Sequence, residues 1–218
     1  SPDEKAVNAC YSGILCAPSG PLLHWLAALD NDTVKAEYYN TSTVGNANAA
    51  GKRVGVIGTG STAAQLVPRV VRQVGPGGQV QVFQRTANWV LPRPDRRYTA
   101  IDRTLARFPP YAAATRRFWY HVLEWGRRGF DEGTTARRGM LASAERHLRR
   151  QVADPALREK LRPTYPLGCK RIIYSSDFYP ALTQPHVELV TDAIERITPQ
   201  GIVSSDGRER VLDVLVCA

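Results

Sequence analysis

Cysteine and histidine are both scarce in this chain. Cys10, Cys16, Cys169 and Cys217 form no Cys-x-x-Cys pair, and His24, His121, His147 and His186 are scattered, with no metal-ligand spacing among them. That leaves no candidate zinc or thiol-redox motif, so no metal is expected, and the cysteines read as reduced thiols of a cytoplasmic protein. No order of Ser, His and Asp suggests a hydrolase. Apolar runs long enough to cross a bilayer are missing as well: residues 21–29 are apolar but too few, so no membrane partner is expected. An initiating Met and a basic-then-apolar leader are also absent, from which the chain is expected to begin inside a larger gene product.

Charge is abundant but unevenly spread. The net formal charge is +9, and between residues 85 and 171 there are 20 Lys and Arg against 8 Asp and Glu, so the rest of the chain is slightly acidic. Arginines come in pairs there, at Arg116-Arg117, Arg127-Arg128, Arg137-Arg138 and Arg149-Arg150. Such intervals fit the solvated face of helices. The lesser reading is a basic patch for nucleic acid or an anionic surface, and nucleic-acid binding through this segment is kept as an alternative function.

The most informative segment is Gly51-Lys52-Arg53-Val54-Gly55-Val56-Ile57-Gly58-Thr59-Gly60-Ser61-Thr62-Ala63. An apolar strand ends in Gly-x-Gly-x-x-Ala and opens a helix-like run, Ala63-Ala64-Gln65-Leu66-Val67. Gly58 allows a tight turn, Gly60 lets backbone approach a pyrophosphate, and Ala63 is small enough for close helix–strand packing. The helix start then offers free N–H groups to phosphate. A second apolar strand, Gln79-Val80-Gln81-Val82-Phe83, follows at the expected distance. An NAD site places Asp or Glu after that strand to accept from the ribose 2′-hydroxyl, but here the chain reads Gln84-Arg85-Thr86. A carboxylate would repel a 2′-phosphate, whereas Arg85 can pair with one, which favours NADPH.

Gly75-Pro76-Gly77-Gly78 ends the helix, and Pro68 inside it predicts a kink or a late start. Residues 88–94 are extended because proline disfavours helix in the residue before it. Residues 100–160 carry Phe118, Val122, Leu123, Trp125, Leu141 and Leu148 at helical spacing, with Trp119 and Trp125 read as packing residues. A short helix is predicted from Tyr174 to Leu182. Strands are predicted at residues 14–17, 187–190, 201–204 and 211–216, the last two joined by a turn at Asp206-Gly207. Residues 46–50 look like a linker. The pattern predicts an α/β fold: a Rossmann-like dinucleotide-binding domain with a mainly parallel sheet, a helical insertion and an appended β-hairpin.

The chain resembles the NADPH-binding domain of Baeyer-Villiger monooxygenases, within the flavin-containing monooxygenase superfamily. The blocks that carry the resemblance are the glycine motif through Gln65, Val82-Phe83-Gln84-Arg85-Thr86-Ala87-Asn88-Trp89, Tyr165-Pro166-Leu167-Gly168-Cys169-Lys170-Arg171, and Asp177-Phe178-Tyr179-Pro180-Ala181-Leu182. The last residues, Leu212-Asp213-Val214-Leu215-Val216-Cys217-Ala218, resemble the strand before an Ala-Thr-Gly turn. The resemblance implies that Gly58, Gly60 and Ala63 hold the NADPH pyrophosphate, with Thr59, Ser61, Thr62 and Gln65 beside the turn. It implies that Arg85, Thr86 and Lys170 surround the adenosine 2′-phosphate and that Arg171 is the active-site arginine. An always-charged guanidinium suits the anions that develop in such chemistry. The reaction implied uses NADPH to reduce FAD and then molecular oxygen to turn a ketone into an ester or lactone, with the cofactors carrying the chemistry.

The resemblance also implies an organisation: residues 1–50 as a remnant of an FAD domain and linker, 51–99 and 163–218 as the NADPH domain, and 100–162 as an insertion. Two departures bear on activity. Where the family has Phe-x-Gly-x-x-x-His-x-x-x-Trp, this chain has Val34, Ala36, Asn40 and Val44, and asparagine cannot carry a proton as histidine does. No FAD-type glycine motif precedes residue 50. The chain alone is therefore expected to be incomplete and inactive, and a degenerate NADPH-binding module without oxygenase activity is the alternative.

Overall fold

The structure, a computed structural model, describes residues 9–10, 13–16, 49–95 and 98–218. Val34, Ala36, Asn40 and Val44 lie outside the described residues, as do linker positions 46–48. The elements run as β1 (Ala9–Cys10), β2 (Gly13–Cys16), β3 (Arg53–Ile57), α1 (Ser61–Val74), β4 (Gln79–Phe83) and β5 (Val90–Leu91). They continue with α2 (Ala100–Ala106), α3 (Pro109–Arg127), a 3₁₀ turn at Arg128–Phe130, α4 (Thr135–Gln151) and α5 (Pro155–Lys160). Last come β6 (Ile173–Tyr174), α6 (Phe178–Leu182), β7 (Val187–Val190), β8 (Ile194–Thr198), β9 (Gly201–Ser204), β10 (Glu209–Val211) and β11 (Val214–Cys217).

One sheet has the order β1-β2-β11-β3-β4-β7. Its four strands β11, β3, β4 and β7 are parallel, and β2 and β1 extend it antiparallel. Side chains alternate between two cores, as a pleated strand requires. Val54, Val56, Val80, Val82, Leu189, Val214 and Val216 meet α1 and α6 on one face, whereas Phe83, Val190 and Leu215 meet Ile202 on the other. The second face is covered by β8-β9-β10, an antiparallel three-stranded sheet. Helix α1 buries Ala63, Leu66, Val67, Val70, Val71 and Val74, which recur at helical spacing. At the opposite end of the strands, Asp213 clamps β11 to β3. It accepts from the Arg53 guanidinium at 2.6 and 3.1 Å and from the Arg53 backbone N–H at 2.8 Å.

Several expectations need correction. Helix α1 begins at Ser61 with Pro68 buried inside it, so the start is not late. The predicted strand at 211–216 is two elements. Val211 ends β10 and pairs with Gly201, while β11 starts at Val214 in the parallel sheet. The hairpin partner of β9 is thus β10, and β8, absent from the sequence reading, makes the hairpin a meander. Tyr174 belongs to β6 beside β5, and the predicted helix is confined to α6. Trp119 and Trp125 are not packing residues: α3 has no buried residue, and these two rings are exposed. The later helices do join the core, through Leu148, Val152 and Leu161.

One buried group in that region is harder to protonate than it would be in the unfolded chain. His147 on α4 is buried, its ring lies tilted against that of Tyr179 with centroids 5.5 Å apart, and its Nε2–H donates to the Ser175 carbonyl at 2.9 Å. Burial pushes its imidazole below the ordinary 6.5, opposed by that hydrogen bond. The unfolded chain therefore takes up a proton near 6.5 that the folded chain refuses. The stability His147 contributes is full above that value and is lost as pH falls below it. The urea midpoint is expected to drop from about pH 7 to about pH 5, and His147→Phe to flatten that slope; an unaltered slope in the variant would contradict the assignment.

Candidate functional site

The parallel strands end level with one another: Ile57 is opposite Phe83 and Cys217, and Phe83 is opposite Val190. The residues that follow each strand consequently line one crevice at their carboxyl ends, which is where open α/β sheets bind ligands. It is a cavity of about 880 Å³ walled by Gly58, Thr59, Gln84, Arg85, Thr86, Asn88, Lys170, Thr191, Asp192 and Ala218, among others. The β3 and β11 ends meet here although α1 leads from β3 away to β4, the usual switch point of such sheets.

The glycine turn explains its own residues. Gly58 has φ +108°, and a Cβ there would run into the Ala218 carbonyl oxygen. Gly60 has ordinary dihedrals, and a Cβ there would meet nothing within 4 Å. Among the described residues its missing side chain is therefore not required by packing, and the space over it is open. Gly60 is also the N-cap of α1 and supplies no side-chain hydrogen bond, so the first N–H groups of a 14-residue helix lack a side-chain cap. Ala63 is fully buried against the sheet. Open space above a bare, uncapped helix start fits a phosphate group.

Two cations line the same cavity. Arg85 follows β4, is exposed, and makes no ion pair among the described residues. Lys170 lies over the Tyr165 ring, its Nζ 4.7 Å from the centroid. Tyr165 in turn ties this wall to the turn. Its hydroxyl donates to Asn88 Oδ1 at 3.0 Å, and Asn88 Nδ2 donates to the Thr59 carbonyl at 2.8 Å. The Thr59 hydroxyl donates to the Thr86 carbonyl at 3.3 Å, and Trp89 Nε1 donates to the Tyr165 carbonyl at 3.0 Å. Burial pushes the Tyr165 phenol above its ordinary value, which keeps it a donor. Gln84 is buried beside Arg85, and its amide donates to the Lys160 carbonyl at 2.7 Å, anchoring the end of α5 to the end of β4.

Of the predicted site residues, Gly58, Thr59, Arg85, Thr86 and Lys170 line the cavity. Gly60 and Ala63 sit in the turn and first helical turn, while Ser61, Thr62 and Gln65 are exposed on α1 and do not line it. Arg171 is exposed, next to Lys170, and also lies off the cavity wall. Asn88, Tyr165 and Asp192 were missed as site residues. Asp192 is a carboxylate just after β7, and its signal was the strand end it follows.

No family model matches the chain. A Baeyer-Villiger monooxygenase of Pseudomonas aeruginosa is 35% identical over 217 residues, 98% of this chain and 40% of that protein. The chain is related to a segment of the Baeyer-Villiger monooxygenases. An FAD-binding monooxygenase of Aspergillus niger is 36% identical over 172 residues, covering 78% of this chain and 28% of its own length. Among solved structures, an oxidised steroid monooxygenase bound to NADP superposes with a TM-score of 0.64 at 29% identity, over 78% of this chain and 39% of that one. The chain thus spans about 40% or less of the length of these Baeyer-Villiger and FAD-binding relatives. No helix among the described residues is long and apolar enough to cross a membrane.

Proposed function

We propose that this chain binds NADPH in the crevice at the carboxyl ends of β11, β3, β4 and β7. It would do so as the nucleotide-binding portion of an FAD- and NADPH-dependent monooxygenase that converts ketones and molecular oxygen to esters or lactones. The observation that supports the reading is the space over Gly60 at an uncapped helix start, next in the chain to Gly58 and Thr59, which line one cavity with Arg85 and Lys170. Residues 51–99 and 163–218 form the nucleotide-binding unit in this proposal, and 100–162 the insertion. FAD enters through the relatives' names; no described residue is assigned to it.

Bound NADPH would supply the hydride that reduces the flavin. The chain's own task is placement. The helix start and Gly60 backbone would receive the pyrophosphate, with Ala63 holding α1 close to the sheet. Arg85 and Lys170 would receive the 2′-phosphate, Arg85 through paired N–H donors and Lys170 as a point charge steadied by the Tyr165 ring. Thr59, Thr86 and Asn88 hold the two walls at a fixed separation. Arg171, exposed and not among the residues that line this cavity, would carry a permanent positive charge to the substrate side. The cytoplasmic placement stays part of this proposal. A module that binds NADPH without oxygenating is the second reading, favoured by the altered residues Val34, Ala36, Asn40 and Val44.

Titration calorimetry of the purified protein tests the nucleotide reading. NADPH is expected to bind more tightly than NADH, and Arg85→Ala to lower NADPH affinity about tenfold with little effect on NADH, since one exposed charged hydrogen-bond partner is lost. Equal affinities for the two nucleotides in the unaltered protein would end it.

A further inference from the structure

The segment from Tyr98 to Phe130 does something the nucleotide site does not need. Of the fifteen large hydrophobic residues exposed among the described residues, twelve lie within it. Helix α3 concentrates them. At 100° per residue, Tyr111, Phe118, Val122 and Trp125 follow one line, Trp119 and Leu123 widen it to one side, and nothing on the helix is buried. Phe118 is 60% exposed, Trp125 55% and Leu123 70%. Helix α2 and its flanks add Tyr98, Ile101, Leu105 and Phe108. An apolar surface of this extent on one segment is uncommon and marks a contact site.

Charge says what kind of surface it would meet. The same segment holds Arg103, Arg107, Arg116, Arg117, Arg127 and Arg128 against only Asp102 and Glu124. Asp102 is engaged in the Thr99 capping box, and Glu124 stands 3.6 Å from Arg127. On α3, Arg116 and Arg127 border the apolar stripe beside Leu123, and Arg117 lies on the polar face. Tryptophan and phenylalanine along one side with arginines at the margin is the arrangement of a helix lying in a bilayer interface. There the rings enter the acyl boundary, and the guanidinium groups reach lipid phosphates.

We propose that α2 and α3 dock this protein on an anionic lipid surface, lying in the interface rather than spanning it. The expectation of no membrane partner came from the lack of a spanning run, and a helix lying in the interface needs none. Neither helix contributes to the cavity wall, so the docked protein keeps its nucleotide crevice free.

Co-sedimentation of the purified protein with vesicles tests this. Binding is expected to vesicles of phosphatidylcholine mixed with phosphatidylglycerol, weak binding to phosphatidylcholine alone, and release as salt is raised. Trp119→Ser combined with Trp125→Ser is expected to lower partitioning at least about tenfold. Arg116→Gln with Arg127→Gln should lower it several-fold on anionic vesicles only. Both variants should melt like the unaltered protein, because the altered side chains are exposed. No binding to the mixed vesicles overturns the proposal, as happens if another part of the polypeptide covers this face. So does equal, salt-insensitive binding to both vesicle types. A concentration-dependent dimer that the tryptophan variants abolish, without vesicle binding, would assign the face to a second copy instead.

Discussion

Gly60→Ala is expected to leave folding intact and to cost most of the nucleotide binding, whereas Gly58→Ala is expected to damage both. The two glycines differ in what surrounds them. At Gly60 an added methyl meets nothing, and its φ of −74° suits any residue, so the urea midpoint should stay the same or rise slightly. The methyl would instead occupy the space where the pyrophosphate must approach the backbone, and NADPH affinity should fall on the order of a hundredfold. At Gly58 the same methyl meets a backbone carbonyl, which cannot rotate away, in a dihedral region that disfavours side chains. Strain and displacement of Ala218 together should cost about 2–4 kcal/mol of stability. Calorimetry beside urea denaturation separates the outcomes. If Gly60→Ala bound NADPH normally, the open space above it would not be the pyrophosphate site.

The second large effect concerns the layer under the sheet. Arg210 on β10 is 8% exposed, and its guanidinium donates to Ser204 Oγ at 3.1 Å and to both carboxylate oxygens of Asp206, at 3.2 and 2.9 Å. It also reaches Glu188 on β7 at 3.4 Å, and Glu188 accepts from the Gln81 amide on β4 at 3.3 Å. This chain of contacts stitches the meander to the middle of the parallel sheet. Arg210→Met would keep apolar bulk but leave the Glu188 and Asp206 carboxylates without their guanidinium partner. Because Glu188 is part exposed, the cost is expected at about 2–3 kcal/mol, below that of a fully buried pair. Arg210→Lys should recover only part of it, since an ammonium cannot grip Asp206 with two parallel bonds. A urea midpoint unchanged in Arg210→Met would show that the apolar contacts around Ile202 hold the layers alone.

The β3–α1–β4 unit was legible because its signals are local. Val54 and Val56 are buried by a strand's period, Leu66, Val70 and Val74 by a helix's, and the glycines sit where a turn demands them. Arg85 and Lys170 could be assigned to one site only through resemblance, being 85 residues apart in the chain. Their meeting depends on β5 pairing with β6, which brings the Tyr165–Lys170 segment under Asn88. The meander was misread for a similar reason. Ile194-Glu195-Arg196-Ile197-Thr198 has exposed charges and a register shift, and Val211 was read through into Val214 although Leu212-Asp213 separates two sheets. Periodicity shows that α3 has an apolar stripe. It does not show whether another element covers it.

By itself the sequence determined the glycine turn, the strand that feeds it, the helix that leaves it and the missing carboxylate after β4, since each is dictated by neighbours a few residues away. Only the tertiary structure decided which strand ends lie side by side, that Asn88 and Tyr165 join the turn to Lys170, that Arg171 stands off the cavity wall, and that the aromatic rings of α3 face outward. Those are relations between distant segments, fixed by how one sheet buries both of its faces.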